Sequence, residues 1–235
     1  GPRGFKLTEA GQVTLAQAEE IFRQGNDLLQ YFRSGKMKSN FRLGTLGGLS
    51  KNLQLKILRN VISNTETELS IEVGDAEVLI DRLSNYKLDA VLSDVPISSS
   101  TAESLSQTEI ASEIVCFVSR QKPKKKNRIE IDPPASNGTY LPSQSSPMTS
   151  ALLEFISSEM NKPIIRGFID DIALLRLLAL ETDCLVAIPK IGVRREIETN
   201  QLHIVHEFKK ISQSYFIVYR QKGKRHPMLN RLLKS

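Results

Sequence analysis

The amino-acid sequence predicts an α/β protein made of two Rossmann-like subdomains, joined by extended crossing strands and preceded by one long helix. Three observations lead to this prediction. The first 35 residues carry a helical apolar pattern, and after residue 40 short apolar runs alternate with helical segments. The same alternation begins again after a basic run at residues 119–128. Because parallel strands need helical crossovers, each series is expected to form its own small sheet, with a cleft between the two.

A single long helix is predicted from Thr8 to about Ser34. Thr8 is a suitable N-cap and Gly35 a suitable stop. Apolar residues recur at three- and four-residue steps and form a broad stripe. This stripe consists of Ala18, Ile21, Phe22, Leu28, Leu29 and Phe32. It must be buried against something, and a second copy of the helix is the simplest partner, although the helix could instead fold back onto its own chain.

The first α/β series follows the polar connector KMKSN. Its predicted strands are FRLGTL, ELSIEV and LDAVLSD, and its predicted helices are SKNLQLKILRNVISN and AEVLIDRLSNYK. A polar loop, VPISSSTAESLSQ, then leads to the apolar segment EIVCFVS. These elements place subdomain I at residues 41–118 together with the chain end, 221–235, and the linker helix at residues 8–36.

The second series occupies residues 119–220, which are predicted to form subdomain II. Its strands are TYLP, PIIRGFI and CLVAIP, and its helices are SPMTSALLEFISSEM and DIALLRLLALE. QLHIVHEF is expected to be extended, SYFIVYR to form another strand, and PMLNRLLKS to form a short closing helix.

Composition narrows the class of protein. The 235 residues are 40% hydrophobic, which is enough to build real cores. No apolar run approaches the roughly 20 residues of a membrane span, and the N-terminus lacks a secretory signal. We therefore expect a cytoplasmic protein with no membrane partner. The net charge of +6 would suit nucleic acid, but six basic residues crowd into one run that is typical of a solvated loop.

The sequence offers no catalytic or metal-binding constellation. His203 and His206 lie in an extended segment and would project to opposite faces, so they could not share a metal ion. Cys116 and Cys184 lie in separate apolar stretches and are expected to be buried, reduced thiols. The acidic pairs Asp75 and Glu77, and Asp170 and Asp171, are predicted to cap helices. No P-loop or nucleophile elbow is present, so we predict neither an enzyme nor a cofactor.

The segment RGFKLTEAG resembles the junction of LysR-type transcriptional regulators, where the winged helix-turn-helix runs into the linker helix. FRLGTLGGLS, KLDAVLSD, TYLPSQSSPMTSALLEFI and ETDCLVAIP resemble later elements of the same family in the same order. VLSDVPI, LPSQSS and FIDDIALL are similar to the branch that includes activators of sodium/proton antiporters. Thr182 and Asp183 depart from the family, which usually has glycine there.

This resemblance implies a periplasmic-binding-protein-like effector fold and a role in transcription regulation. Residues 1–7 would comprise a tag remnant, Gly1-Pro2, and the end of the DNA-binding wing, with the recognition helix missing. The implied partners are a second copy, as a homodimer or homotetramer, and a small-molecule or ion effector. DNA and RNA polymerase would be partners of the intact protein only. The alternative is a free-standing two-lobed solute-binding protein, against which LTEAG, the stripe on the first helix and the absent secretion signal argue. A third reading, a ligand-processing transferase with a two-lobed fold, lacks an identifiable catalytic group.

Effector contacts are predicted at the carboxyl ends of the strands, where ligands collect in open α/β sheets. The candidates are Thr45, Leu46, Gly47, Ser50, Ser93 and Asp94 in the first series, and Ser143, Gln144, Asp170 and Pro189 in the second. Hydroxyls and a helix start near Ser50 would suit a small anion, whereas Asp94 and Asp170 would suit a cation. Each of these hydroxyls could instead cap a helix.

Overall fold

The computed structural model describes residues 7–34, 39–63, 67–98, 104–123, 138–159, 164–221 and 225–233. The helices are α1 (Glu9–Ser34), α2 (Lys51–Ile62), α3 (Ala76–Ser84), α4 (Pro147–Glu159), α5 (Ile172–Glu181), α6 (Arg194–Glu198) and α7 (Pro227–Leu232). The strands are β1 (Ser39–Leu46), β2 (Thr67–Gly74), β3 (Ala90–Ser93), β4 (Leu105–Ser119), β5 (Thr139–Leu141), β6 (Ile165–Phe168), β7 (Leu185–Pro189) and β8 (His203–Arg220). The predicted tag remnant, the stop at Gly35 and most of the basic run lie outside the described residues.

The first helix begins where the sequence predicts. The Thr8 hydroxyl accepts a hydrogen bond from the Gly11 N–H at 3.1 Å, which confirms Thr8 as the N-cap. Large residues of the apolar stripe are exposed: Ile21 is 68% exposed and Phe22 74% exposed. Glu20 approaches Arg42 of β1, with 3.9 Å between its Oε2 and the arginine Nη2.

The chain divides into two compact units. Unit 1 contains Gly1–Gly47, Ile57–Ile110 and Phe216–Ser235, and unit 2 contains Gly48–Lys56 and Ala111–Tyr215. These bounds differ from the predicted subdomains, whose limits fall near the ends of β4 and β8. One part of the difference arises because each of these long strands begins in one unit and ends in the other, and the other part is the segment Gly48–Lys56, which clusters with unit 2.

Unit 1 is built on strands in the order β2-β1-β3-β8. β1 is parallel to β2 and β3, and β3 is antiparallel to β8, with Val91 opposite Val218. The helix α3 packs on this sheet through Leu79 and Leu83. Gly44 in β1 leaves room for this packing, because a Cβ there would lie 3.1 Å from Cδ2 of Leu79 and 2.8 Å from Cδ1 of Leu88, and these side chains would have to shift. The predicted βαβ pattern is thus confirmed in this unit.

Unit 2 contains strands in the order β4-β7-β5-β6, in which β7 is antiparallel to β4 and parallel to β5. Neighbouring residues of β4 enter two separate cores. Phe117 packs on the α4 side with Leu152, whereas Cys116 packs on the α5 side with Leu175. A strand covered on both faces is a continuous apolar run, which explains the motifs EIVCFVS and CLVAIP.

Three features differ from the predicted elements. β4 already begins at Leu105, inside the segment predicted to be a loop. QLHIVHEF and SYFIVYR belong to one strand, β8, rather than two. A 3₁₀ turn (Lys190–Val193) and α6 follow β7 and were not predicted. Among the described helices, none is long and apolar enough to cross a membrane.

Candidate functional site

In unit 1 the predicted candidates follow the ends of β1 and β3. Thr45 is fully buried, and its hydroxyl lies 3.4 Å from the Leu46 carbonyl. The Ser93 hydroxyl donates to the Val95 carbonyl at 2.6 Å and accepts from the Val95 N–H at 3.0 Å. This hydroxyl therefore organises the turn after β3. Gly47 is exposed, while Leu46 packs against the unit 1 core.

The loop before α2 belongs to unit 2. Ser50 is 2% exposed, its hydroxyl lies 3.5 Å from the Leu53 N–H, and its carbonyl accepts from the Gln54 N–H at 3.0 Å. Asn52 donates to the carbonyls of Ile191 and Gly192 at 3.1 and 3.2 Å. The start of α2 is thereby held against the turn that follows β7.

Asp170 lies beside this same loop. A Cβ added at Gly48 would stand 3.3 Å from the Asp170 carbonyl oxygen and 3.4 Å from its Oδ1. The structure thus brings the GGLS loop and the end of β6 together within unit 2. Sequence reasoning singled out Ser50 and Asp170 but missed Gly48, Asn52 and Gln54. The glycine pair in GTLGG was the available signal, since glycine permits close backbone approach.

The remaining unit 2 candidates follow β5 and β7. The hydroxyls of Ser143 and Ser145 lie 2.9 Å apart, and Gln144 is exposed. Pro189 is buried and opposite Val115 of β4, so it offers little side chain to a ligand. Thr149, which was not predicted, is fully buried and donates to the Pro142 carbonyl at 3.2 Å, fixing the loop that carries Ser143.

The acidic pairs have different outcomes. Asp171 caps α5, because its Oδ1 accepts from the N–H groups of Ala173 and Leu174 at 2.7 and 3.1 Å. The capping prediction is therefore confirmed for Asp171. It is wrong for Asp75, which occupies the N-cap position of α3 but makes no side-chain cap bond. Asp75 has the extended backbone of an N-cap, and its side chain does not reach the N–H groups of the first turn.

Both cysteines of unit 2 lie in its core on the α5 side. Cys116 and Cys184 are buried free thiols, as predicted, and burial raises the pKa of Cys116 to about 12. Burial also lowers the pKa of His206 below its ordinary value. Within the described residues, no group of three or more histidine, cysteine, aspartate or glutamate side chains could hold a metal ion.

A buried ionic network that sequence reasoning missed lies at the opposite ends of the unit 1 strands. Asp89 accepts from the Arg42 backbone N–H at 2.8 Å and from the Arg42 guanidinium at 3.0 Å. Arg220 lies 4.0 Å from Asp89 and donates to the carbonyls of Leu83 and Leu88, both at 2.6 Å. Burial lowers the pKa of Arg220, and the Asp89 carboxylate opposes that shift. The network links β1, β3 and β8 at the strand ends opposite to those that carry Thr45 and Ser93.

Comparison with known proteins identifies one protein family that matches most of the chain. The family model described as LysR substrate binding domain matches residues 35–235. The chain is 24% identical over 236 aligned positions to the transcriptional activator protein NhaR of Escherichia coli (strain K12), covering 98% of this chain and 76% of that protein.

Solved structures show the same fold at low sequence identity. The regulatory domain of HypT from Salmonella typhimurium, in its bromide-bound form, is similar with a TM-score of 0.62 and 14% identity, over 83% of this chain and 92% of that one. The sulfate-bound regulatory domain of a mutant OxyR2 from Vibrio vulnificus is similar with a TM-score of 0.63 and 15% identity, over 85% and 95% of the two chains.

Proposed function

The chain belongs to the LysR substrate-binding domain family, and from this premise we propose that its strand-end residues bind a small effector and that its first helix pairs with a second copy. Its function is that of the effector-binding region of a LysR-type transcriptional regulator. Regulators of this family bind effectors and DNA and are not enzymes. The observation that carries this conclusion is the family match across 35–235, which spans both compact units.

The proposed effector is a small anion, such as an organic acid. In unit 2 the buried Ser50 hydroxyl stands at the start of the twelve-residue helix α2, where N–H groups and the helix dipole favour negative charge. Within unit 1 the candidate hydroxyls are those of Thr45 and Ser93, which follow the ends of β1 and β3. Two structurally similar regulatory domains are described with bromide or sulfate bound, which supports including anions among the ligands to be tested. Sodium remains the second ligand class, because Asp94 and Asp170 are among the candidates.

Calorimetric titration tests this site. Acetate, succinate, sulfate and sodium chloride are titrated separately against the chain and its Thr45→Ala and Ser143→Ala variants, with potassium chloride as the reference salt. We expect one anion to bind and at least one of the two variants to lose about tenfold in affinity, or about 1.4 kcal/mol. Ser157→Ala is the matched control, since its hydroxyl is exposed and donates to the Glu154 carbonyl of its own helix. Unchanged affinity in both site variants would remove these residues from the site.

The proposed assembly is a homodimer formed through α1, or a homotetramer of two such dimers. An isologous contact would cover the exposed stripe on both copies. DNA and RNA polymerase are proposed partners of the intact regulator, which would act in the cytoplasm because its operator lies there. Effector binding would shift the dimer between arrangements only if these arrangements differ in effector affinity.

A further inference from the structure

A groove of about 550 Å³ runs along the C-terminal half of α4 and the first half of β8, within unit 2. None of the ten strand-end candidates lines it. The loop that carries Ser143 precedes α4, whereas the groove is lined by residues from Ala151 to Ser158 of that helix. The groove is therefore separate from the proposed effector contacts of this unit, and its volume is that of a small-molecule site.

The floor of the groove is an aromatic cluster. The rings of Phe155 and His206 are stacked, with centroids 5.4 Å apart and planes at 29°. Phe208 packs edge-on against both, at 5.1 Å from Phe155 and 4.8 Å from His206. Phe117 supports Phe208 from the core at 4.9 Å. Burial lowers the pKa of His206, so its imidazole is uncharged at neutral pH and presents an aromatic face.

Two adjacent lysines stand at the rim. Lys209 and Lys210 are exposed, and within the described residues no carboxylate lies within ion-pair distance of either ammonium. Glu207 lies between His206 and these lysines in the sequence, and its Oε1 accepts from the Lys190 Nζ at 2.6 Å. Glu154 adds one negative charge, so the rim keeps a net positive charge facing an aromatic floor.

We propose that this groove is a second ligand site, which takes a small planar aromatic carboxylate. A flat ring would stack on Phe155 and His206 in the offset geometry that aromatic pairs prefer. The carboxylate would reach one of Lys209 and Lys210, neighbouring strand positions that both line the groove, and the other lysine would add positive charge at the rim. This site does not depend on the strand-end site, and either can fail without the other.

The test uses 2-naphthoate, whose fluorescence anisotropy rises on binding. The protein has no tryptophan, and exciting the naphthoate at wavelengths longer than tyrosine absorbs keeps its five tyrosines from contributing. We expect saturable binding, at least fivefold weaker binding of the uncharged 2-naphthalenemethanol, and at least fivefold loss of naphthoate affinity in the Lys209→Gln/Lys210→Gln variant. Phe155→Leu, which keeps an apolar side chain but removes the ring, should lose affinity for both compounds.

Two controls make the test decisive. Lys87→Gln/Lys122→Gln removes the same charge from exposed positions outside the groove and should bind 2-naphthoate like the parent. Native circular dichroism of each variant verifies folding. The proposal is overturned if 2-naphthoate does not bind at millimolar concentration, or if the groove lysine variant binds it as tightly as the parent. Loss of binding in Ser143→Ala instead would locate naphthoate at the strand ends and also overturn it.

Discussion

His206 lies half-buried against Phe155 and Phe208, and burial lowers its pKa below the ordinary value of 6.5. The unfolded chain therefore takes up a proton near pH 6.5 that the folded chain resists. Stability from the neutral imidazole is present above pH 6.5 and lost as the pH falls toward the folded pKa. We expect the free energy of unfolding to fall more steeply below pH 6.5 in the parent than in His206→Phe. Urea denaturation from pH 7.5 to 5 measures this, and parallel curves would contradict it.

Asp89 is 9% exposed and holds Arg42 through both backbone and side chain. Asp89→Ala would leave the guanidiniums of Arg42 and Arg220 without their shared carboxylate. Breaking such a buried pair costs about 3–5 kcal/mol, so the urea midpoint should drop markedly. Glu198→Gln is the control, because it breaks the exposed pair with Arg194 and should leave the midpoint unchanged. A loss below about 1 kcal/mol in Asp89→Ala would mean that the network contributes as little as a surface pair.

Single residues were predictable from sequence where their partners are local. The capping roles of Thr8 and Asp171 depend on N–H groups two or three residues away, and both are confirmed. The pairing of Arg42 with Asp89 joins residues 47 positions apart, and no local pattern indicates it. Asp75 shows the opposite limit, since a suitable residue at a helix start need not form the side-chain bond.

At the level of elements, α1 exposes the apolar stripe that the sequence predicted to be buried by a second copy. Ile21→Glu/Leu28→Glu places two charges on this stripe and should convert the proposed dimer to monomer. Pairing would then bury less apolar surface and would bring like charges together. Light scattering coupled to size exclusion measures the mass. The control is Gln12→Glu/Gln17→Glu, which adds the same charge at exposed polar positions of the helix. An unchanged mass after the Ile21 and Leu28 substitutions would refute pairing through this stripe.

Strand extents were harder to predict than strand existence. The polar stretch KKISQS interrupts the apolar pattern of β8, and Lys209 and Lys210 are exposed in the middle of the strand. The backbone nevertheless stays extended through this stretch, so two predicted segments form one strand. The helix α6 escaped prediction because it is only five residues long and buries Glu196, whose charge is met by Arg176 at 2.6 Å.

Over the whole molecule, the candidate site was predictable from local sequence rules but its long-range contacts were not. The rule that ligands collect at strand ends pointed to Ser50 and Asp170, and within unit 2 these lie on neighbouring segments through Gly48. Asn52 was missed because its partners, Ile191 and Gly192, lie 139 and 140 positions away. Contacts of that separation follow from the fold and not from the local sequence.

The two compact units should unfold together, since β4 and β8 each belong to both. Leu152→Ala, which empties part of the unit 2 core, should cost about 2–5 kcal/mol and lower one shared transition. Scanning calorimetry should give a single peak, with equal calorimetric and van't Hoff enthalpies per cooperative unit. Ser158→Ala, an exposed position of the same helix, should leave the peak in place. Two resolved peaks, of which only one moves in Leu152→Ala, would contradict this prediction.

The path of β8 also sets an order of events on the ribosome. In the strand order, β8 lies between β3 and β4. The part of β8 that pairs with β3 begins at Phe216, which follows every residue of unit 2 in the sequence. A nascent chain that has emerged as far as Tyr215 holds every residue of unit 2, whereas the edge of β3 still awaits its antiparallel neighbour. Unpaired edges are the part of a growing chain most open to wrong pairing. If translation stalls before Phe216, β3 of unit 1 therefore lacks its β8 partner, although most of unit 1 was synthesised before unit 2.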